Sequence, residues 1–252
     1  MSLKDYKYMH PIAEKACEEI QCQVDVGLPG HMSVLIAASR VGKTTVMEEL
    51  KDRFETKGKH VVYIVAPRSG GGKFSWRPMQ KKTLETLGCP FFRDVKDSDV
   101  DSIWQLIEDY LVQQQVDILM IDDSDFLNDA KSDRARSLVA GQLRTFAETS
   151  TARIIFTGTY SLQKMIKWES QLLNRSDVTY MRPYHLTGEV EKEVRKEFGA
   201  LNRCLENFNQ ELDIKLSKNV LADPLELYRL CLGCVGAISE CLRQAEGYAR
   251  FE

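Results

Sequence analysis

No apolar run in these 252 residues approaches the length of a helical membrane span, so a membrane role through such a helix is not expected. The opening Met1-Ser2-Leu3-Lys4 begins no secretory signal peptide, and the expected location is the cytoplasm. Cys231-x-x-Cys234 has no second pair to complete a zinc site. The seven cysteines are odd in number and scattered, which argues against a disulfide framework and for small buried hydrophobes in a reducing compartment. Basic residues are not in surplus: 34 Lys and Arg face 37 Asp and Glu, a net charge of −3, which argues against a wholly basic nucleic-acid coat protein. Repeats and low-complexity tracts are missing as well. One absence is local. Residues 56–84 contain no Asp or Glu, yet carry Lys57, Lys59, Arg68, Lys73, Arg77, Lys81 and Lys82. A basic island in a slightly acidic chain points to phosphate contact.

What remains is an ordinary globular composition, 43% hydrophobic and 28% charged. Its organising stretch is Ala37-Ala38-Ser39-Arg40-Val41-Gly42-Lys43-Thr44-Thr45, between an apolar strand-like run (34–36) and a helix-like run (44–57). Strand, tight loop and helix N-terminus are the context of a phosphate-binding loop. Backbone N–H groups of Ser39 to Thr45 converge on one spot where the helix dipole adds positive potential. Lys43 would reach the β- and γ-phosphates of a nucleotide, and Thr44 would ligate Mg²⁺. Ala37 stands where the motif has its first glycine, a place that requires only a backbone angle open to alanine.

The rest of the chain alternates helix and strand. A helix is expected over 4–24, ended by Gly27-Leu28-Pro29-Gly30, and a buried strand over 59–65. The basic island follows, with Gly70-Gly71-Gly72 allowing close backbone approach. Arg68, Lys73, Arg77, Lys81 and Lys82 are the candidate DNA contacts, and Phe74 or Trp76 anchors the segment to the core. Helices are expected over 78–87 and 99–114. The strand Val116–Ile121 then delivers Asp122-Asp123, the pattern in which a buried parallel strand carries one acid to its C-terminal end to hold Mg²⁺. The next acid, Asp123, would activate water as general base. A helix over 133–148, a strand over 153–159, a helix over 160–168 and a short strand over 178–181 complete an α/β domain over 1–185: a parallel sheet flanked by helices. From Leu186 to Glu252 the pattern is helical, a small lid.

With these motifs in order, residues 8–250 resemble an AAA+ ATPase, and more narrowly the TniB/TnsC family of transposition regulators, which includes the ATPases of CRISPR-associated transposons. The resemblance rests on Ser39-Arg40-Val41-Gly42-Lys43-Thr44, Met120-Ile121-Asp122-Asp123-Ser124-Asp125, Phe156-Thr157-Gly158-Thr159 and Leu173-Asn174-Arg175. It implies that His10-Pro11 lies against adenine, that Thr159 (with Thr157 in reserve) is the sensor 1 residue, and that Arg175 (with Arg182 as runner-up) is an arginine finger acting on a neighbouring subunit. It also implies ATP and Mg²⁺ as cofactors and a homo-oligomeric filament or ring on duplex DNA, bound without sequence preference. The partners implied are a transposase and a TniQ-type targeting protein, and a second DNA contact lies near Arg93–Ser98.

Three departures from the family pattern bear on rate. Ala37 replaces glycine, Asp123 replaces glutamate, and Gly236-Ala237-Ile238 stands where a sensor 2 arginine often sits. Asp123 is one methylene shorter than glutamate, and a displacement of about 1 Å in a catalytic group costs roughly 10²-fold. Slow hydrolysis, with ATP binding as the main switch, is therefore expected. Two other readings stand beside this one. A helicase loader or initiator calls for a partner-binding extension or winged helix, for which the sequence leaves no room before Glu252. A nucleotide-holding adaptor without significant turnover is the other.

Overall fold

The computed structural model describes residues 8–67, 74–90, 100–167, 170–184, 191–212, 214–217, 220–221 and 224–249. Arg68, Lys73 and the segment Arg93–Ser98 lie outside them. The chain divides into two compact units, one of residues 16–37 and 47–180, the other of residues 1–15, 38–46 and 181–252.

The larger unit is built on a five-stranded sheet of strand order β2-β3-β4-β1-β5. Its strands are β1 (Met32–Ala37), β2 (Val61–Val65), β3 (Ile118–Asp122), β4 (Arg153–Gly158) and β5 (Ser176–Met181). The pairs β1–β4, β3–β4 and β2–β3 are parallel. Parallel strands need crossovers, and helices α2 (Lys43–Thr56), α3 (Arg77–Thr86), α4 (Val100–Gln113), α5 (Asp133–Thr149), α6 (Tyr160–Ile166) and α7 (Ser170–Leu173) lie between them in the chain. Every residue of β1 and of β3 is buried, as expected for central strands covered on both faces. The apolar positions of α4 (Ile103, Ile107, Leu111) and α5 (Val139, Leu143, Phe146) pack into this core with Trp76 and Trp104.

Helix α1 begins at Pro11, not near residue 4: residues 8–10 are not helical. Proline suits a first turn, where its missing N–H has no partner to lose. Strand β2 starts at Val61 instead of 59, because the His60 backbone N–H is taken by the Asp117 carboxylate (2.9 Å) outside the ladder. A 3₁₀ turn, Ser124–Asp129, follows β3 directly and was not anticipated.

The smaller unit gathers the N-terminal segment, the loop after β1 and the helical C-terminal region. Its core joins Tyr184, Leu201, Cys204, Phe208, Tyr228 and Ile238, with Tyr8 and Ile12 packed against them. Helices α8 (Glu191–Glu211), α9 (Leu225–Leu230) and α10 (Val235–Ala249) supply most of it. Gly233 has φ 67°, and a Cβ there would lie 2.2 Å from the Tyr184 carbonyl oxygen. Only glycine closes that turn.

One buried acid gives the larger unit a pH dependence. Glu108 on α4 is 5% exposed. Burial pushes its carboxyl up from 4.5 to about 7. A raised carboxyl pKa means the folded state holds the proton more tightly. Its stabilising contribution is full below 4.5 and lost as pH rises through about 7. The melting temperature is expected to fall by a few degrees between about pH 4.5 and pH 7 and to level off above, and Glu108→Gln is expected to flatten that fall. Thermal melts of both proteins across this range check it.

Candidate functional site: a phosphate-binding loop and an acid-bearing strand

The loop after β1 contains two left-handed positions, Arg40 (φ 63°) and Gly42 (φ 110°). At Gly42 the nearest atom to an added Cβ is His10 Nε2 at 3.7 Å, so the backbone angle, not space, selects glycine. Arg40 is a non-glycine in the same region, a local strain of the kind that loops built for ligands carry. Ala37 is not among the positive-φ residues, and it ends β1 fully buried; the missing glycine costs nothing there. Lys43 opens α2. Its side chain folds back over the loop, with Nζ donating to the Ala38 carbonyl at 3.1 Å and the residue 8% exposed. The backbone N–H of Val46 donates to the Gly42 carbonyl (3.1 Å), so helical bonding starts at the glycine and leaves the preceding N–H groups outside the helix ladder.

His10 is buried beside this loop. Its Nε2 lies 3.3 Å from the Val41 carbonyl oxygen and its Nδ1 3.3 Å from the Tyr184 hydroxyl. A carbonyl only accepts, so Nε2 carries the proton and Nδ1 accepts from Tyr184. Burial pushes the His10 pKa down, which keeps that ring neutral. His10 helps wall a cavity of about 130 Å³ with Tyr8 and Ala13, with Val41, Gly42 and Thr45 of the loop, and with Val235, Gly236, Ser239 and Glu240 of α10. Gly236 approaches the loop closely: a Cβ there would lie 2.6 Å from the Arg40 carbonyl oxygen. Of the nucleotide-binding candidates, Ser39 to Thr45 form the loop and first turn, and Pro11 starts α1 next to His10.

In the larger unit, β3 ends in Asp122, which is 1% exposed. Its Oδ2 accepts from the Tyr63 hydroxyl (3.0 Å). Its Oδ1 accepts from the Asp123 N–H (2.8 Å) and from the Thr157 hydroxyl. Burial, with Asp122 beside it, pushes the Tyr63 phenol pKa far up, so Tyr63 stays a donor. Asp123 is exposed and left-handed (φ 56°), and its N–H also reaches Thr157 Oγ1 (3.2 Å). The two candidate sensor hydroxyls part company. Strand β4 ends at Gly158, so Thr157 remains in the sheet against Asp122, while Thr159 has left it. Thr159 donates from both its backbone N–H and its hydroxyl to Asp125 Oδ1 at 2.8 Å each.

Arg175 precedes β5, half-exposed, with Nη2 3.6 Å from Glu148 Oε1. A solvent-exposed pair of that length holds an arginine weakly. Arg182, in the other unit, makes a two-pronged pair with Glu197 and is the more tightly held. Of the candidate DNA contacts inside the described residues, Arg77, Lys81 and Lys82 lie on α3, whose buried positions are Met79, Gln80, Thr83 and Leu84. Lys82 is exposed, while Arg77 and Lys81 are half-buried at the edge of that buried face. Lys82 Nζ also meets Glu85 at 2.8 Å. Trp76 is the anchor: 3% exposed, it donates from Nε1 to Gln142 Oε1 (2.6 Å) and packs on Phe74, Trp104 and Phe126. Tyr63 was not singled out by the sequence, and Gly236 only as part of the stretch standing in place of a sensor 2 arginine. One depends on strand register and the other on a contact distant in the chain.

The profile of the AAA domain matches residues 29–166, which run from the turn before β1 to the end of α6. This chain belongs to the AAA domain family. No curated protein matches it. Among solved structures, this AAA protein is similar to the Walker-type ATPase PABY2304 of Pyrococcus abyssi, at 15% identity and TM-score 0.62 over 94% of this chain and 67% of that one. It is also similar to the ORC1 protein of Aeropyrum pernix, solved in complex with DNA, at 15% identity and TM-score 0.65 over 97% and 62%. A replication initiator DnaA bound to AMPPCP and single-stranded DNA aligns at 14% identity and TM-score 0.51 over 96% and 63%. The chain thus spans about two thirds of the length of these structures. Its fold is that of the AAA+ P-loop NTPases, with a parallel sheet flanked by helices.

Proposed function

We propose that this protein is an ATP-dependent, DNA-binding AAA+ regulator of transposition. It assembles as a filament or ring on duplex target DNA, recruits or activates a transposase, and uses slow ATP hydrolysis as its switch. The observation that carries the nucleotide half is the cavity that brings the loop residues Val41, Gly42 and Thr45 together with His10 and the first turns of α10. Aromatic and aliphatic walls beside a phosphate-binding loop suit a nucleotide base. Lys43 binds the β- and γ-phosphates. Thr44 and Asp122 would hold Mg²⁺, and the donor set fits: both offer hard oxygen ligands. Mg²⁺ sites use few protein ligands and leave the rest to phosphate and water. Bound there, the ion neutralises charge on the phosphate oxygens. Asp123 takes the proton of the attacking water, Thr159 is the sensor of γ-phosphate, and Arg175 stabilises charge across the subunit boundary.

The DNA half rests on the cations Arg77, Lys81 and Lys82 of α3 and on the acid-free stretch around them. Such contacts neutralise phosphates without reading bases, so affinity falls steeply with salt. The transposase and TniQ-type partners follow from the family resemblance.

Imaging on duplex DNA with a non-hydrolysable ATP analogue tests the assembly. Rings or filaments that require the analogue are expected. Dispersed monomers on bare DNA, or equal binding with and without nucleotide, would overturn it. The switch is tested separately. Asp123→Asn is expected to cut turnover by about 10²-fold or more while leaving nucleotide affinity near wild type. Turnover unchanged in that variant removes Asp123 as the base, and no turnover in the wild type moves the reading to an adaptor.

A further inference from the structure

We infer that the Asp122 carboxylate is aimed by a two-strand clamp, in which Tyr63 of β2 is a positioning residue and Thr157 of β4 its counterpart. The inference rests on the proposed nucleotide–Mg²⁺ reading and adds residues that it does not contain. Strands β2 and β4 flank β3 on its two sides. Register places Val65 beside Asp122, so Tyr63 lies two residues back on the same face of β2. A tyrosine ring is long enough to reach such a diagonal neighbour. Its hydroxyl donates to Oδ2 at 3.0 Å, while the Thr157 hydroxyl donates to Oδ1 from the opposite side. The Asp123 N–H adds a further donor to Oδ1 at 2.8 Å.

Both carboxylate oxygens are therefore held, each from a different neighbouring strand, and rotation about the Cβ–Cγ bond is fixed. Phenylalanine would fill the place of Tyr63 equally well. A partly buried hydroxyl costs free energy unless it is hydrogen-bonded, and Asp122 is the partner that satisfies this one. Outer groups of this kind set the direction in which a ligand presents its lone pairs, and their loss typically weakens metal affinity about 10–100-fold.

The test is binding of a fluorescent ATP analogue, titrated with Mg²⁺ and repeated in EDTA. Tyr63→Phe is expected to raise the Mg²⁺ concentration at half-effect by about tenfold, with binding in EDTA and the melting temperature unchanged. Thr157→Val is expected to shift the midpoint likewise, and Thr157→Ser, which keeps the hydroxyl, to restore it. A purely structural role for these side chains would alter the melt and leave the Mg²⁺ midpoint alone. Wild-type midpoints in both Tyr63→Phe and Thr157→Val overturn the clamp. Absence of any Mg²⁺ effect in the wild type overturns the nucleotide–Mg²⁺ reading itself, a failure seen before any variant is compared.

Discussion

Replacing Lys43 with alanine is expected to weaken ATP binding by roughly two to four orders of magnitude and to abolish assembly on DNA. The ammonium is the charge that reaches the β- and γ-phosphates under the proposed reading. It is already drawn in, bonded to the Ala38 carbonyl and nearly buried. Charge-assisted hydrogen bonds are worth about 1.5–3 kcal/mol each. Losing contacts to two phosphates therefore costs about 3–6 kcal/mol, which is roughly 10²–10⁴ in affinity. Stability should change less, because one charged-group bond, to Ala38, is lost (about 1.5–3 kcal/mol) and the cost of burying the ammonium is relieved with it. Calorimetric titration with ATP, beside a thermal melt, separates the two. Affinity within a few-fold of wild type in a folded Lys43→Ala protein would remove the loop as the nucleotide site. Retained nucleotide binding with lost filaments would instead place Lys43 in assembly.

The loop was legible in the sequence because its chemistry is local. A strand, a glycine able to take φ 110°, and a lysine at the first helical position all lie within a dozen residues. Its strand was legible for a second reason: Val34, Leu35 and Ile36 form an unbroken apolar run, as a strand covered on both faces must. The order of sheet and helices followed from the alternation of such runs with helical ones. Strand ends were less legible. Extending β4 by one residue puts Thr157 and Thr159 in equivalent positions, whereas ending it at Gly158 sends Thr159 to Asp125 and leaves Thr157 against Asp122. Tyr63 was invisible for the same reason. Its bond to Asp122 exists only in one register of β2 against β3, and nothing in Val61–Val65 states that register.

Gly236 carries the second large expectation. In sequence it marks an absence, part of the stretch Gly236-Ala237-Ile238 that stands where a sensor 2 arginine often sits. Its geometry gives it a different role. The first turn of α10 runs so close to the phosphate-binding loop that a Cβ on residue 236 would lie 2.6 Å from the Arg40 carbonyl oxygen and 3.2 Å from its carbon. Both atoms are backbone, and Arg40 already sits at φ 63°, so the loop has little room to retreat. Alanine favours a helix over glycine by about 1 kcal/mol, but forcing a methyl into a packed contact costs about 1–3 kcal/mol. The misfit falls on the loop that holds the phosphates. Gly236→Ala is expected to weaken ATP binding about tenfold, and Gly236→Val by more. Gly247 on the same helix is the control, since a Cβ there meets nothing within 4 Å. Gly247→Ala is expected to stabilise the fold by about 0.5–1 kcal/mol and leave affinity alone. If Gly236→Ala binds ATP as tightly as Gly247→Ala does, then α10 does not brace the loop, and the lid communicates with the nucleotide through the cavity walls at Ser239 and Glu240 alone.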